Sequence, residues 1–407
     1  MTYGDKAAAR LQHIARASVT PEGVTRLPWT SQHREALGQI TSWMQDAGLD
    51  VSLDAAGTLV GASPNPDGKP VLLIGSHQDS VPSGGGFDGI MGIVVGCLAA
   101  EALKDRVADF PFALEILAFA DEEGVRFPTA LIGPRALAGT LDPAALDMAD
   151  RDGVTMRDAM RDFGVDTTET LRLARAPEDV FGYLEAHIEQ GPVLEAEGLP
   201  VAAVSAICGI SRFDLTVAGE TGHAGTVPMS GRRDALVAAA RIVALVSDAA
   251  LAQETVRATV GQMSIRPGAV NAIPAEARFP LEVRAADDAL REQFESAILR
   301  RAEEICDGAG CALSARRTYV QPATICDPKL TEALETALRD CGTEALTLPS
   351  GATHDASAMA DLCPVSMLFV RCRGGISHRP DEFASAEDMH AAVAVLIRAI
   401  EVLASDG

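Results

Sequence analysis

The chain has 407 residues and a formal net charge of −23. That length exceeds one ordinary hydrophobic core, so two domains are expected. With 47% hydrophobic and 22% charged residues it is a folded and not a disordered chain. Its acidity argues against nucleic acid and anionic membranes as partners, and an anionic substrate would need locally placed cations.

No apolar h-region of a signal peptide is visible near Met1. The apolar run from Ile90 to Ala100 is too short to span a bilayer. Eight cysteines are scattered singly with no CxxC pair, several in apolar contexts (Cys97, Cys208, Cys363). They read as reduced, buried thiols of a cytoplasmic protein and not as a disulfide framework.

Apolar residues at three- and four-residue spacing predict helices over 5–17 and 31–48. The run Val71 to Gly75 suits a buried parallel strand. A glycine-rich loop follows, then an apolar helix from about Gly89 to Lys104, then a strand over Ala113 to Ala120. Tyr183 to Ile188 and Met367 to Arg371 read as further strands. The fold class expected is α/β, with a mostly parallel sheet built from residues 1–210 and 325–407. Residues 211–324 read differently. RFDLTVAGE, ATVGQMSI, ARFPLEVRA and ALSARRTYV read as strands, with helices over Arg233–Leu251 and Asp287–Asp307. That order predicts a small inserted α+β sandwich with an antiparallel sheet.

Five metal-ligand candidates follow strand-like stretches or strand-proximal turns: His77 in GSHQDS, Asp88 in GGGFDG, Glu123 in DEEG, His187 in EAHIEQG and His378 in GISHRP. Open α/β sheets place sites beyond the carboxyl ends of their strands, so distant residues can meet there. Three imidazoles and two carboxylates suit zinc or a neighbouring first-row metal better than magnesium or calcium. Five ligands exceed the need of one catalytic zinc and suggest two metals sharing a carboxylate, hence metal-assisted hydrolysis. Gly86, Gly89 and Gly92 are spaced as in a phosphate loop, but no Lys-Ser/Thr follows and Asp88 would repel phosphate. Glu122 and Glu123, if extended, would point to opposite sides, one to a metal and the other to an activated water. The bland reading of DEEG is a solvated turn.

GSHQDSV, GGGFDGIMG, DEEGVRF, AHIEQGP, GHAGTVPM, VNAIP, SGATHDA and ISHRPDE, in this order over about residues 75–383, resemble the amidase, hydantoinase and carbamoylase branch of the M20 metallopeptidase-like amidohydrolases. The resemblance implies one metal on His77, Asp88 and His187, and a second on Asp88, Glu123 and His378. It implies zinc first among candidates, with manganese, cobalt or nickel as alternatives. Glu122 becomes the general base for a metal-bridging hydroxide, and His223 stabilises the oxyanion, reaching in from a partner subunit or from its own. Gln190 lies beside the metals, and Arg212, Asn271 and Arg284 hold a substrate carboxylate. Gly351, Thr353 and His354 line the pocket. The chemistry is sound on its own terms, because arginine fits a carboxylate with paired hydrogen bonds and an N–H donor lowers the energy of a developing oxyanion.

The implied enzyme is a cytoplasmic homodimer cleaving N-carbamoyl-L-amino acids, with the inserted domain as lid and dimer interface. The helix over Arg233–Leu251 and the neighbouring strand edge are the expected dimer contact. Alternatives are an allantoate amidohydrolase, an N-acyl amino acid hydrolase or dipeptidase, and a non-catalytic metal-binding carboxylate sensor. Gln78, Ser80, Pro134, Gly222, Glu282 and Thr353 depart from the residues usual in that branch and bear on substrate more than on reaction.

Overall fold

The computed structural model describes residues 1–405. The chain divides into two compact units, one of residues 1–205, 326–348 and 352–407, the other of residues 206–325 and 349–351. These boundaries lie a few residues outside 211–324, and the return segment Pro349–Gly351 joins the second unit.

The first unit is built on a mixed sheet. Its strands run in the order Asp50–Leu53, Leu59–Ala62, Ala113–Phe119, Val71–His77, Val180–Ile188, Val365–Val370 and Val201–Ile207. The four central strands are mutually parallel. Their sequences are near-continuous apolar runs because they are covered on both faces. The sheet is therefore mostly parallel at its centre, while the strands on both flanks pair antiparallel. The flanking strands Asp50–Leu53 and Leu59–Ala62 are only four residues long, whereas Val201–Ile207 on the other flank is a buried apolar run like the central strands.

Helix Ile90–Leu103 is buried almost all round, which explains its apolar, glycine-containing sequence. It lies so close to the sheet that a Cβ on Gly92 would sit 2.1 Å from the Ala186 carbonyl oxygen. Helices Tyr3–Ile14, Pro328–Asp340 and Ala386–Ser405 bury apolar faces in the same core.

The second unit carries an antiparallel sheet of Ala312–Gln321, Gly209–Ala218, Glu276–Ala285 and Val256–Thr259, in that order. Ser264–Arg266 also pairs with Glu276–Ala285. Alternate residues of Glu276–Ala285 are buried, as period-two patterning requires. Helices Ala235–Leu251 and Asp288–Gly308 share a core with this sheet. ATVGQMSI is not one strand. Its two ends pair with separate stretches of the same long strand, and residues 260–263 leave the ladder between them.

No helix among the described residues is long and apolar enough to cross a membrane. All eight cysteines are free, and seven are buried.

Replacing Gly92 by alanine should overpack the contact between helix and sheet, at a cost of about 1–3 kcal/mol. A lower urea midpoint with an unchanged slope is the expected outcome of chemical denaturation.

Candidate active site

Parallel register brings the chemistry together. His77 ends its strand opposite Phe119, so the loops after both strands start side by side. The Gln78 N–H donates to the Phe119 carbonyl at 3.0 Å. Asp79 then accepts the backbone N–H groups of Glu122 and Glu123 at 3.1 and 3.3 Å. His187 lies near the end of the neighbouring parallel strand, and the His77 and His187 ring centroids are 5.7 Å apart.

Asp88 stands at the centre. Its Oδ1 is 3.0 Å from His187 Nε2 and 3.8 Å from His77 Nε2. Its Oδ2 is 3.1 Å from His378 Nε2, and that nitrogen is 3.9 Å from Glu123 Oε2. One carboxylate thus faces two histidine groups through different oxygens. The ligand atoms of His77, Asp88 and His187 lie within 4.8 Å of one another, and so do those of Asp88, Glu123 and His378. His77 with Glu122 and Glu123 forms a third such group, and Glu185 with His187 and His354 a fourth.

The imidazoles are oriented from behind. Nδ1 of His77 meets the Asp79 carbonyl at 3.1 Å, and Nδ1 of His187 meets the Ile188 carbonyl at 2.9 Å. A carbonyl only accepts, so each Nδ1 carries a proton and Nε2 faces the cluster. Gly89 makes room for this arrangement. It has φ +64°, and a Cβ there would fall 2.4 Å from the His77 ring. Gly89 and Gly92 thus meet packing demands of their own, and their spacing needs no phosphate to explain it.

Glu122 and Glu123 do not point to opposite sides. Asp121 adopts φ +60° and the strand breaks into a bend, so both carboxylates reach the same group of ligand atoms. Extended alternation does not apply to residues that have left the strand.

Electrostatically the cluster is a concentrated buried charge. Burial and the neighbouring Glu123 push the Glu122 carboxyl well above its usual range. Burial and Asp88 push Glu123 up to about 8. For Asp88, burial works against the carboxylate, but hydrogen bonds from His187 and His378 outweigh it and hold its pKa well below normal. Burial opposes the His187 cation too, yet Asp88 raises it to about 9. The hydrogen bond to Asp88 likewise lifts His378 to about 9. Carboxyls that burial and neighbouring like charges keep protonated release those protons to a divalent cation. The donor set fits one: three imidazole nitrogens, two carboxylates, and a buried Glu123 Oε1 with no hydrogen-bond partner.

Gln190 joins the group at φ +54°, its amide nitrogen 3.0 Å from both Asp88 Oδ2 and Ser377 Oγ. His354 packs edge-on against His187, with centroids 4.4 Å apart. Thr353, half-buried, immediately precedes it.

The second unit holds the other candidates. His223 and Asn271 lie on two segments joined by backbone pairing: Ala224 N–H to the Asn271 carbonyl at 2.9 Å, and Ile273 N–H to the Gly222 carbonyl at 2.8 Å. Both residues are exposed. Arg212 and Arg284 share Glu282, at 2.7 and 2.8 Å, and Arg284 also donates to the Gly351 carbonyl at 2.7 Å.

Four buried carboxylates around the cluster carry no role in the motif pattern: Asp79, Glu185, Asp355 and Glu382. Asp79 and Glu185 each stand two residues from a candidate histidine, a spacing that puts them near the same strand end. Glu185 accepts from Ser76, Tyr183 and the Ala356 N–H.

Fold and site together define an α/β protein with a shared-carboxylate, histidine-rich centre at the ends of parallel strands. Residues 73–402 match the family described as Peptidase family M20/M25/M40, and the chain belongs to it. It is 39% identical to an N-carbamoyl-L-amino acid amidohydrolase of Geobacillus stearothermophilus over 99% of both chains. It is 36% identical to an allantoate deiminase of Arabidopsis thaliana, over 98% of this chain and 82% of that one. Among solved structures, an amidase of the hydantoinase/carbamoylase family from Burkholderia multivorans superposes with a TM-score of 0.90 at 32% identity, covering 98% of each chain.

A metal held by either histidine group would take an oxygen of Asp88, so replacing Asp88 by alanine should abolish metal binding at both. Elemental analysis after dialysis against limiting zinc should then find far less than one metal per chain.

Proposed function

We propose that this protein is a metal-dependent amidohydrolase that cleaves the carbon–nitrogen bond of N-carbamoyl-L-amino acids or closely similar ureido acids. The observation that carries the reading is Asp88, facing His77 and His187 through one oxygen and His378 through the other, with Glu122 beside them. The near full-length similarity to an N-carbamoyl-L-amino acid amidohydrolase supports this substrate class.

In this reading His77, Asp88 and His187 hold one divalent metal, and Asp88, Glu123 and His378 hold the other. When bound, such metals lower the pKa of water and polarise a carbonyl. Zinc is the metal to test first, on the imidazole-rich donor set, with manganese, cobalt and nickel next. Glu122 is the general base. Its Oε2 lies 3.9 Å from His77 Nε2, inside the ligand group, and it takes the proton of the attacking water and delivers it to the departing nitrogen. Gln190 orients Asp88 and substrate, and His354 and Thr353 line the pocket. His223 donates to the developing oxyanion.

Arg284, Arg212 and Asn271 bind the substrate carboxylate, with Gly351 beside them. Glu282 now occupies both arginines, so a carboxylate substrate must compete with it or share them. A homodimer joined through the second unit and a cytoplasmic location complete the proposal. The free, mostly buried cysteines agree with a reducing compartment.

A second reading, allantoate hydrolysis, is favoured by the allantoate deiminases among the relatives. It uses the same machinery with a different pocket. A non-catalytic carboxylate sensor would have no need of Glu122 beside Glu123.

Two measurements test the proposal. Glu122→Gln should keep its metal content and lose at least about 100-fold in kcat. Near-normal turnover would remove Glu122 as base. The zinc-loaded enzyme should release ammonia in step with free amino acid from N-carbamoyl-L-amino acids. Ammonia from allantoate alone would move the substrate to the second reading. Amino acid released from N-acetyl amino acids without ammonia would make the enzyme an acylase.

A further inference from the structure

Glu382 lies in none of the roles above, yet it is buried and fully engaged. Its Oε1 accepts the backbone N–H groups of Phe87 and Asp88, both at 2.9 Å. Its Oε2 accepts from Ser377 Oγ at 3.2 Å and from the His378 N–H at 3.3 Å. Ser377 Oγ in turn contacts Asp88 Oδ2 at 2.8 Å. One carboxylate therefore ties the loop that carries Asp88 to the loop that carries His378, across almost 300 residues of sequence.

Two further observations point the same way. The seat is cut to fit, since a Cβ on Gly85 would fall 2.1 Å from the Glu382 carboxyl carbon. His378 needs holding. Its backbone is left-handed at φ +59°, and its side chain is half exposed, whereas His77 and His187 are buried on regular strands. Of the two histidine groups, the one that depends on His378 is the less rigidly built.

We propose that Glu382 is the positioning residue that fixes His378 relative to Asp88, and that it thereby sets the affinity of the second metal position without touching a metal. The inference rests on the two-metal reading of the site. It makes the His378 position the weaker and more exchangeable of the two, and it makes Glu382 the reason that position binds at all at low metal.

Glu382→Gln tests this selectively. The amide oxygen can still accept from Phe87 and Asp88, but the amide nitrogen would confront the His378 N–H, donor against donor. Zinc titration by calorimetry, elemental analysis after dialysis, and far-UV circular dichroism of the metal-free protein are the readouts. The variant should fold normally and keep one zinc per chain, and its second zinc should bind at least tenfold more weakly. Its turnover should recover when zinc is raised, which that of Glu122→Gln will not do. Gly85→Ala, which displaces the same carboxylate without removing it, should also weaken the second zinc. Two zincs bound as tightly as in the parent by either variant would overturn the inference and leave the two-metal reading standing. Unfolding of the metal-free variants, or loss of both zincs together, would make Glu382 a general structural residue and would overturn it as well. A parent protein that binds one zinc only would sink the two-metal reading and this inference with it.

Discussion

Crowding carboxylates into an interior at the ends of a parallel sheet is the constraint that organises this structure. Asp79, Asp88, Asp121, Glu122, Glu185, Asp355 and Glu382 are all buried in the first unit. Isolated, each would be strongly disfavoured as an anion. The fold answers with imidazoles and backbone N–H groups. Asp88 receives His187 and His378, Asp79 receives the N–H groups of Glu122 and Glu123, and Glu382 receives those of Phe87 and Asp88. Both oxygens of Asp121 and of Asp355 are left without hydrogen-bond partners. Such an excess of negative charge around three imidazoles is poorly matched to a stable empty core and well matched to cations.

The same logic separates the two histidine groups. His77 and His187 sit on adjacent parallel strands, each three residues beyond the last registered pair Ile74–Leu184, and carbonyls set their tautomers. His378 sits on a turn, and side-chain contacts must do that work instead. Rigidity therefore grades across the site, from strand-borne ligands to a loop-borne one. In the second unit Glu282 pairs with both Arg212 and Arg284, which leaves one positive charge of the two uncompensated by that carboxylate and open to an external anion. Glu282 is also a position where this chain departs from the residue usual in the resembling branch, so selectivity is a natural place for it to act.

Much of the architecture was legible because burial on both sheet faces leaves a plain mark. Val71–His77, Ala113–Phe119 and Val365–Val370 are apolar runs bounded by polar turns, and helix Ile90–Leu103 is apolar on all sides. The alternation in Glu276–Ala285 announces a sheet with one exposed face. The antiparallel flanking strands Asp50–Leu53 and Leu59–Ala62 were not legible, since four-residue strands carry too few side chains to show a period. The interruption of ATVGQMSI was hidden because both halves have strand-like composition, and it shows only in the register, where Thr259 to Ser264 spans one residue more than the facing Glu282 to Arg278.

At the site, the residue types and their positions already name the cast: three histidines, Asp88 and the Glu122–Glu123 pair, each beside an apolar strand or turn, in an order that resembles one branch of hydrolases. They can do so because ligand chemistry resides in side-chain type, and strand ends can be read from hydrophobic runs. Which oxygen of Asp88 meets which imidazole, the shared direction of Glu122 and Glu123, and the tie that Glu382 makes between the two loops emerge on folding alone. Those outcomes depend on strand register, on the left-handed backbone at Asp121 and His378, and on the space left by Gly85 and Gly89. Each is set by contacts between segments far apart in the chain, and no local pattern of residues encodes them.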